Sequence, residues 1–177
     1  MSANVDRIRD AVRDVPDFPK PGILFKDLTP VLADPELFAL AHAEQLALVE
    51  DLRGRVDVLV GMESRGFWFG PGLARALGAG FVPIRKPGKL PWKTNQVSYS
   101  LEYGENALQI HQDAVRSGQA VVIVDDLLAT GGTANAAKTL VETLGGKVLA
   151  CLFMVELDFL EGRKQLGDVR VESLIHY

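Results

Sequence analysis

The sequence predicts an α/β fold with a central, mainly parallel sheet flanked by helices. Four short, nearly continuous apolar runs are strand candidates, at 56–61, 80–85, 119–126 and 147–157. Helix-like segments alternate with these runs, at 67–77 and 133–144. Strands that are apolar on both faces need cover on both sides, which a parallel sheet between helix layers provides. With 177 residues, we expect a single domain spanning 1–177.

The region before the first main strand predicts two helices separated by an extended arm. Val5, Ile8 and Val12 follow helical spacing, which favours a short helix over 3–13. The stretch DVPDFPKPGILFKDLTPVL contains four prolines, so we expect an irregular, extended arm. After it, Asp34 and Pro35 are typical of a helix start, and ELFALAHAEQLALVEDLR predicts a long helix that stops before Gly54.

The stretch 86–118 interrupts the alternation of strands and helices. KPGKLPWKTNQ is polar and loop-like, whereas VSYSLEYG and ALQIHQ indicate an antiparallel ribbon. Long loops in compact domains are usually functional. We therefore predict a flexible lid over 86–102.

Composition narrows the classes of function. The net charge is −4, with dispersed lysines and arginines, which argues against nucleic acid as the main partner. No apolar run approaches the roughly 20 residues that cross a bilayer, and MSANVDRIRD lacks the apolar stretch of a signal peptide. The single cysteine excludes an internal disulfide and a cysteine-based metal cluster. We expect a cytoplasmic protein without a membrane partner.

The stretch VVIVDDLLATGGT at 121–133 carries the most specific chemistry. Asp125 and Asp126 fall at the carboxyl end of the third main strand, where open parallel sheets bind ligands. Paired carboxylates accept hydrogen bonds from vicinal hydroxyls or help to hold a hydrated cation. The glycine-rich turn that follows can cradle an anion at a helix start, and it lacks the lysine of a P-loop. A sugar phosphate fits both features, because its hydroxyls can bind the carboxylates and its phosphate can bind the turn. The alternative is an acid-capped strand followed by an ordinary turn.

This stretch resembles the signature of the type I phosphoribosyltransferases, which bind 5-phosphoribosyl-1-pyrophosphate (PRPP). The resemblance implies that Asp125 and Asp126 bind the ribose hydroxyls. It assigns the 5′-phosphate to the following turn, formed by Ala129, Thr130, Gly131, Gly132 and Thr133. The fold implied is the type I phosphoribosyltransferase fold, with a small hood formed partly by 14–32 and 155–166.

Further segments resemble the adenine-specific branch of that family. They are DFPKPGILFKDLTPVL, GMESRGFWFG, IRKPGKLP, SYSLEYG and VELDFLEGRKQL. The implied reaction joins adenine to PRPP and yields AMP and pyrophosphate, with Mg²⁺ bridging the pyrophosphate and ribose hydroxyls. The ion is bound through the substrate, near Asp125 and Asp126. A homodimer is implied as well.

The resemblance assigns pyrophosphate to two segments. One is the loop GMESRG with Glu63, Ser64 and Arg65, where we expect a cis or strained peptide near Ser64–Arg65. Arginine suits this role because its planar guanidinium binds phosphate with two hydrogen bonds. The second segment supplies the cations Arg85, Lys86 and Lys89, because a net acidic protein must concentrate positive charge near an anionic substrate. One cation is expected to reach across the dimer interface. The alternatives are a surface arginine at a helix start and solvated lysines.

The resemblance gives Glu102, at the far end of the lid, the role of acid/base. When N9 of the purine attacks the ribose, the ring must lose a proton, which a positioned carboxylate can accept. Tyr103 is expected to pack over the sugar or to shield the reaction. The alternative for Glu102 is an exposed strand glutamate. With Arg65, Glu102 makes up the predicted catalytic pair.

The adenine pocket is assigned to GILFK and VELDF. Backbone groups at Leu24, Phe25 and Lys26 can match the 6-amino donor and the N1 acceptor of adenine. A 6-oxopurine would leave such groups unpaired. Phe25 is expected to stack on the base and Leu157 to cover its other face, although core packing could also explain both.

Two alternatives to adenine phosphoribosyl transfer stay open. One is a phosphoribosyltransferase for hypoxanthine, guanine or xanthine, and the other is a regulator that binds PRPP without catalysis. The three histidines, His42, His111 and His176, lack metal-ligand spacing and are interpreted as structural. Cys151, in an apolar strand, is expected to be a buried thiol.

Overall fold

The computed structural model describes residues 2–101 and 104–177. The strands in this part of the chain are β1 (Arg13–Pro16), β2 (Leu24–Asp27), β3 (Val58–Met62), β4 (Gly80–Ile84), β5 (Thr94–Leu101), β6 (Gly104–His111), β7 (Ala120–Leu128), β8 (Lys147–Glu156) and β9 (Arg170–His176). The α-helices there are α1 (Ala3–Ala11), α2 (Thr29–Ala33), α3 (Pro35–Leu48), α4 (Gly70–Leu77) and α5 (Gly132–Thr143).

The central sheet has the strand order β4-β3-β7-β8-β9, and each neighbouring pair is parallel. The side chains of β7 show why its sequence is apolar without alternation. Val122 and Val124 pack in the core layer beneath α1, α3 and α4, whereas Val121 and Ile123 pack in the opposite layer with α5. The predicted fold class, a parallel sheet covered on both faces, is confirmed.

The predicted helices are present, with shifted ends. Asp34 caps α3 as expected, because its Oδ1 accepts hydrogen bonds from the backbone N–H groups of Glu36 and Leu37 at 2.9 Å. The α3 helix ends at Leu48, earlier than predicted, where Arg170 Nη2 donates to the Leu48 carbonyl at 2.6 Å. The helix predicted over 67–77 begins at Gly70, after a short 3-10 helix at Arg65–Phe67.

The proline-rich arm is more regular than the sequence predicted. β1 and β2 form an antiparallel hairpin within it, and the prolines at 19 and 21 lie in the connection between them. Pro16 ends β1, a position that a sheet edge tolerates. The short helix α2 and the edge strand β9 were also missed. β9 contains Glu172 and Ser173, so it lacks the continuous apolar run by which the other main strands were found.

The predicted ribbon is formed by β5 and β6, which pair antiparallel. β5 begins at Thr94, three residues before the predicted start at Val97, so part of the polar stretch is strand. Leu108 and Ile110 of β6 are buried in the core layer that contains α5. A backbone bridge between Arg85 and Gln109 ties β6 to the end of β4. Within the predicted lid, the stretch 86–93 lies outside the strands. No helix in the described residues is long and apolar enough to cross a membrane.

Candidate active site

The two aspartates lie near the carboxyl end of β7, in the middle of the sheet. Asp126 is 3% exposed, and Asp125 is half-buried. Arg65 Nε lies 3.1 Å from Asp126 Oδ2. A cavity of about 140 Å³ opens here, and its walls are Arg65 and the continuous stretch 125–134. The sheet therefore places the acid pair and the glycine-rich turn around one space.

Burial disfavours the charged forms of both aspartates. It raises the pKa of Asp125 well above its ordinary value, and the neighbouring charge of Asp126 adds to that effect. Burial also raises the pKa of Asp126, although the Arg65 guanidinium opposes the shift. Two carboxylates with restricted hydration favour a ligand that brings hydroxyl donors or a cation to them.

The turn from β7 into α5 exposes backbone donors. Gly131 is the N-cap residue, with φ of 86°, and no side chain caps the helix start. The first amides of α5 therefore lack a capping partner from a side chain, which suits an anion. A Cβ on Gly131 would approach the carbonyl oxygen of Gly162 to 2.3 Å. Glycine is required at position 131 on both grounds.

The loop after β3 lies against the end of β7. A Cβ on Gly66 would come within 2.8 Å of the Val124 carbonyl oxygen and 3.1 Å of Asp125 Oδ1. Ser64 has φ of 74° and ψ of −81°, a strained conformation for a residue with a side chain. The expected strain is therefore found at Ser64. The cis peptide bond of the described residues joins Phe18 to Pro19.

A second cavity, of about 170 Å³, lies beside the acid pair. Its walls include Met62, Glu63, Arg65, Lys86, Tyr99, Leu108, Asp125, Asp126 and Thr133. Glu63 Oε2 accepts from Arg85 Nε at 3.2 Å and from the Lys86 backbone N–H at 2.9 Å. Burial alone would raise the pKa of Glu63, but these donors lower it below its ordinary value. Glu63 thus fixes the entrance to the loop that carries Arg85 and Lys86.

An apolar cavity of about 500 Å³ lies under the hairpin of β1 and β2. Its walls are Gly22, Ile23, Leu24, Lys26, Thr130, Leu157, Phe159, Leu160 and Tyr177. Thr130 also lines the cavity beside the acid pair, so the two spaces adjoin. The three cavities thus place three features side by side: an apolar cavity, an acid pair with an arginine, and the glycine-rich turn 129–133, which we call the anion cradle.

Comparisons with known proteins agree with this geometry. The family described as phosphoribosyl transferase domain matches residues 32–175. A protein of Methylococcus capsulatus named adenine phosphoribosyltransferase is 53% identical over 98% of this chain and 100% of its own length. A protein of the same name from Acidobacterium capsulatum is 53% identical over 99% of this chain and 96% of its own. The chain belongs to the adenine phosphoribosyltransferase family.

Solved structures of this family share the fold. The adenine phosphoribosyltransferase of Thermoanaerobacter pseudethanolicus has a TM-score of 0.92 and 52% identity, covering 98% of this chain and 99% of that one. The enzyme of Saccharomyces cerevisiae, complexed with an imino-altritol bisphosphate and adenine, has a TM-score of 0.93 and 43% identity, with 98% and 99% covered. The type I phosphoribosyltransferase fold expected from the sequence is thereby confirmed.

The structure brings most of the predicted phosphate-site residues together. Asp125, Asp126 and the turn 129–133 share a cavity with Arg65, as expected. Lys86 lines the neighbouring cavity, whereas Lys89 is exposed and lies outside the walls of the three cavities. Arg85 is occupied by Glu63 and by the Lys89 carbonyl, to which its Nη1 donates at 3.0 Å.

The predicted base-site residues lie on both sides of β2. Leu24, Lys26 and Leu157 line the apolar cavity. Phe25, between the first two, faces the opposite way because side chains alternate along a strand. Its ring lies 5.3 Å from the Arg65 guanidinium and 5.1 Å from the ring of Phe18. Phe25 therefore lies on the opposite side of β2 from the apolar cavity, near Arg65.

Ile23 and Phe159 belong to the segments GILFK and VELDF, from which the base pocket was predicted, and both line the apolar cavity. Other cavity residues were not predicted, among them Tyr99, Leu160 and Tyr177. Leu160 lies just beyond VELDF, and a large apolar residue in a short turn was an available signal. Nothing in the sequence indicated Tyr177, whose ring lies 3.8 Å from Lys26 Nζ. Glu102 and Tyr103 lie outside the described residues.

The histidines and the cysteine have structural surroundings. His42 packs against Phe38 and Phe69, and burial lowers its pKa. Burial raises the pKa of Cys151 to about 12, so its thiol stays protonated.

Glu156, Asp158 and His176 are close enough together to suggest a metal site. However, Arg163 already donates to both carboxylate oxygens of Glu156, at 2.6 and 2.7 Å. Ser173 Oγ also donates to Glu156, at 2.6 Å. The cluster is therefore an ion-pair network that joins the turn after β8 to β9.

Proposed function

We propose that the protein transfers the 5-phosphoribosyl group from PRPP to adenine, forming AMP and releasing pyrophosphate. The observation that carries this proposal is the contiguity of the anion cradle, the acid pair and the apolar cavity, with Thr130 shared by the first and last. A nucleotide needs these three environments in this order, for its phosphate, its ribose and its base. The relatives named adenine phosphoribosyltransferase support the choice of base.

The PRPP end of the site combines positioning with charge. The amides at Gly131, Gly132 and Thr133, with the turn residues before them, bind the 5′-phosphate. Asp125 and Asp126 accept hydrogen bonds from the ribose hydroxyls. An oxocarbenium-like transition state forms as pyrophosphate leaves, so catalysis consists largely of holding both partners and stabilising the separated charges.

Pyrophosphate is assigned to the loop at Glu63, Ser64 and Arg65. In the free protein the Arg65 guanidinium is paired with Asp126, and it lies at the junction of the two polar cavities. Lys86 lines one of them. It supplies positive charge for the leaving group, with Arg85 held beside it by Glu63.

Mg²⁺ fits the acid pair on chemical grounds. Hard divalent cations prefer carboxylate and phosphate oxygens, and burial raises the pKa of both Asp125 and Asp126, so a cation beside them would stabilise their charged forms. PRPP would supply most of the ligands, with the two aspartates nearby. When bound, the cation would neutralise charge on the departing pyrophosphate.

The backbone of β2 can read the adenine edge. Leu24 pairs with Pro16, and Phe25 pairs with Val15. Proline has no N–H, so Leu24 and Pro16 cannot form a hydrogen-bonded pair of the ladder. Hydrogen-bonded and non-hydrogen-bonded pairs alternate along an antiparallel ladder, so Val15 and Phe25 form the hydrogen-bonded pair. The N–H and C=O groups of Leu24 and Lys26 then point away from β1. They can match the 6-amino group and N1, with Leu157 covering one face of the ring and Phe25 the other.

Glu102 completes the proposal as the residue that accepts the proton from the purine ring, with Tyr103 as a shield. It follows β5, whose Tyr99 contacts Thr133 of the phosphate turn. Glu102→Ala should lower turnover more than it weakens PRPP binding. Unchanged turnover would remove Glu102 from the catalytic pair.

The proposal includes a cytoplasmic homodimer. Lys89, which is exposed and outside the walls of the three cavities, is the cation that we assign to a partner's site. Sedimentation of the purified protein at micromolar concentration tests this part. A monomer that is fully active would contradict it.

A competition assay tests the function. The protein is mixed with Mg²⁺, PRPP and equal amounts of adenine, hypoxanthine and guanine, and the nucleotides formed are separated and quantified. We expect AMP as the dominant product. IMP or GMP would keep the phosphoribosyl transfer but overturn the assigned base pocket. PRPP binding without any nucleotide product would favour the non-catalytic regulator.

A further inference from the structure

One direct contact joins the ribbon to the phosphate turn. The hydroxyl oxygen of Tyr99, on β5, lies 3.1 Å from Thr133 Oγ1. Tyr99 is half-buried, and its ring is the nearest neighbour that a Cβ on Gly132 would meet, at 3.5 Å. The ring therefore covers the peptide at the start of α5 while its hydroxyl reaches the next residue.

The direction of this hydrogen bond follows from the anion that the turn is built to hold. Either hydroxyl could donate, because both carry a proton and lone pairs. If Thr133 donated to Tyr99, its proton would point away from the phosphate. If Tyr99 donates to Thr133, the threonine proton is free to point at a phosphate oxygen. The second arrangement forms a chain that the anion polarises and strengthens.

We propose that Tyr99 is a positioning residue for the 5′-phosphate, acting through Thr133. Its hydroxyl orients the threonine proton toward the phosphate, and its ring holds the ribbon on the start of α5. The inference rests on the proposed function, because it takes the turn 129–133 as the phosphate seat. It adds to that function a physical link between the ribbon and one particular group of the substrate.

This link predicts a selective effect on ligands. Removing the Tyr99 hydroxyl should weaken ligands that carry a 5′-phosphate, such as ribose 5-phosphate and AMP. It should leave pyrophosphate unaffected, since pyrophosphate is assigned to Arg65 and Lys86. A general loosening of the ribbon would instead weaken both kinds of ligand, because Tyr99, Lys86 and Arg65 line the same cavity.

The test compares Tyr99→Phe with a matched control in the same strand. Gln96→Ala removes an exposed ribbon hydrogen bond of 2.8 Å, from Gln109 Nε2 to Gln96 Oε1, and neither residue lines the two polar cavities. Dissociation constants of ribose 5-phosphate and of pyrophosphate with Mg²⁺ are measured by calorimetry. We expect Tyr99→Phe to raise the dissociation constant of ribose 5-phosphate about five- to tenfold, which is the effect of losing one such hydrogen bond. The dissociation constant of pyrophosphate should stay unchanged. Gln96→Ala should change neither.

A double-mutant cycle separates coupling through Thr133 from other effects. Once Thr133→Val has removed the threonine hydroxyl, Tyr99→Phe should have little further effect on ribose 5-phosphate. Equal losses for both ligands, no loss for ribose 5-phosphate, or full additivity in the cycle would each overturn the proposal. If Tyr99→Phe weakens only ribose 5-phosphate binding but the unaltered protein forms no AMP, the role of Tyr99 stands and the proposed reaction is refuted.

Discussion

The two ends of the candidate site are built in different ways. The phosphate end grows out of β7, the central strand of the sheet, and continues without a break into α5. The base end is assembled from separate segments: the hairpin strand β2, the turn after β8, and Tyr177. Asp126 at the first end is 3% exposed, whereas Phe159 at the second is 72% exposed.

This difference indicates that the two ends of the site contribute differently to the reaction and to base affinity. The acid pair and the turn are held by the sheet core, so they can present fixed groups to a sugar phosphate, where misplacement costs catalysis. The base cavity is covered by a two-stranded hairpin and exposed apolar side chains, which have few packing constraints. Substitutions should therefore act on the reaction at the phosphate end and on base affinity at the hairpin end.

The largest effect is expected from replacing both acids. Asp125→Asn with Asp126→Asn keeps the shape of β7 but removes both negative charges near the ribose and the cation. We expect a loss of about a hundredfold or more in kcat/KM for PRPP, measured by steady-state AMP formation, with circular dichroism confirming the fold. Kinetics like those of the unaltered protein would remove the assigned role of the acid pair.

A smaller effect is expected at the base end. Leu157→Ala removes apolar surface from the cavity wall and should raise the KM for adenine about tenfold, with little change in the KM for PRPP. Leu149→Ala, on a residue of β8 that is half-buried like Leu157 but lies outside the cavity, is the matched control for lost packing. If both substitutions change adenine affinity equally, Leu157 is only a packing residue.

The smallest effect concerns the stability of the ligand-free protein. The pKa of Asp125 is raised in the folded state, so folding favours its protonated form. At high pH the charged Asp125 destabilises the folded state. The free energy of unfolding therefore increases as pH falls from above the folded-state pKa of Asp125 toward its unfolded-state pKa of about 4. Asp125→Asn should stabilise the free protein at pH 7 by roughly 1 kcal/mol and flatten this dependence. Urea unfolding at several pH values measures both.

The Asp125→Asn variant also sharpens the comparison between the two ends. Leu157→Ala, at the apolar end, should change stability by the same amount at every pH, because no titrating group is altered. A pH-independent gain for Asp125→Asn would mean that its carboxylate is better hydrated than its burial indicates.

The phosphate end was predictable because its information is local. The acids, the turn and the helix start occupy one continuous stretch, so the strand-to-helix pattern and the side-chain chemistry could be read together. The base end required distant segments to meet. Leu157 was found from the family resemblance, while Tyr177 was missed because its contact with Lys26 depends on how β9 returns to the hairpin.

Two further placements depend on the fold. Phe25 was expected to stack on the base opposite Leu157; side chains alternate along β2, so Phe25 lies on the other side of the strand from Leu24 and Lys26, and its stacking stays a prediction. The Arg85 guanidinium, expected to be available for pyrophosphate, is already bound by Glu63. Sequence alone shows which charges are present and does not show which of them neutralise one another in the fold.

The segment after β8 has a consequence for how substitutions in this protein must be interpreted. Leu157, Phe159 and Leu160 line the base cavity, while the Gly162 carbonyl lies against Gly131 of the phosphate turn. A single short segment thus touches the proposed sites of both substrates. A change at 159 or 160 that shifts its backbone will alter the apparent affinity for PRPP without any contact between that side chain and PRPP. Kinetic data from this segment therefore report displacement as well as contact, and only comparison with ligand-bound structures of the same variants will separate the two.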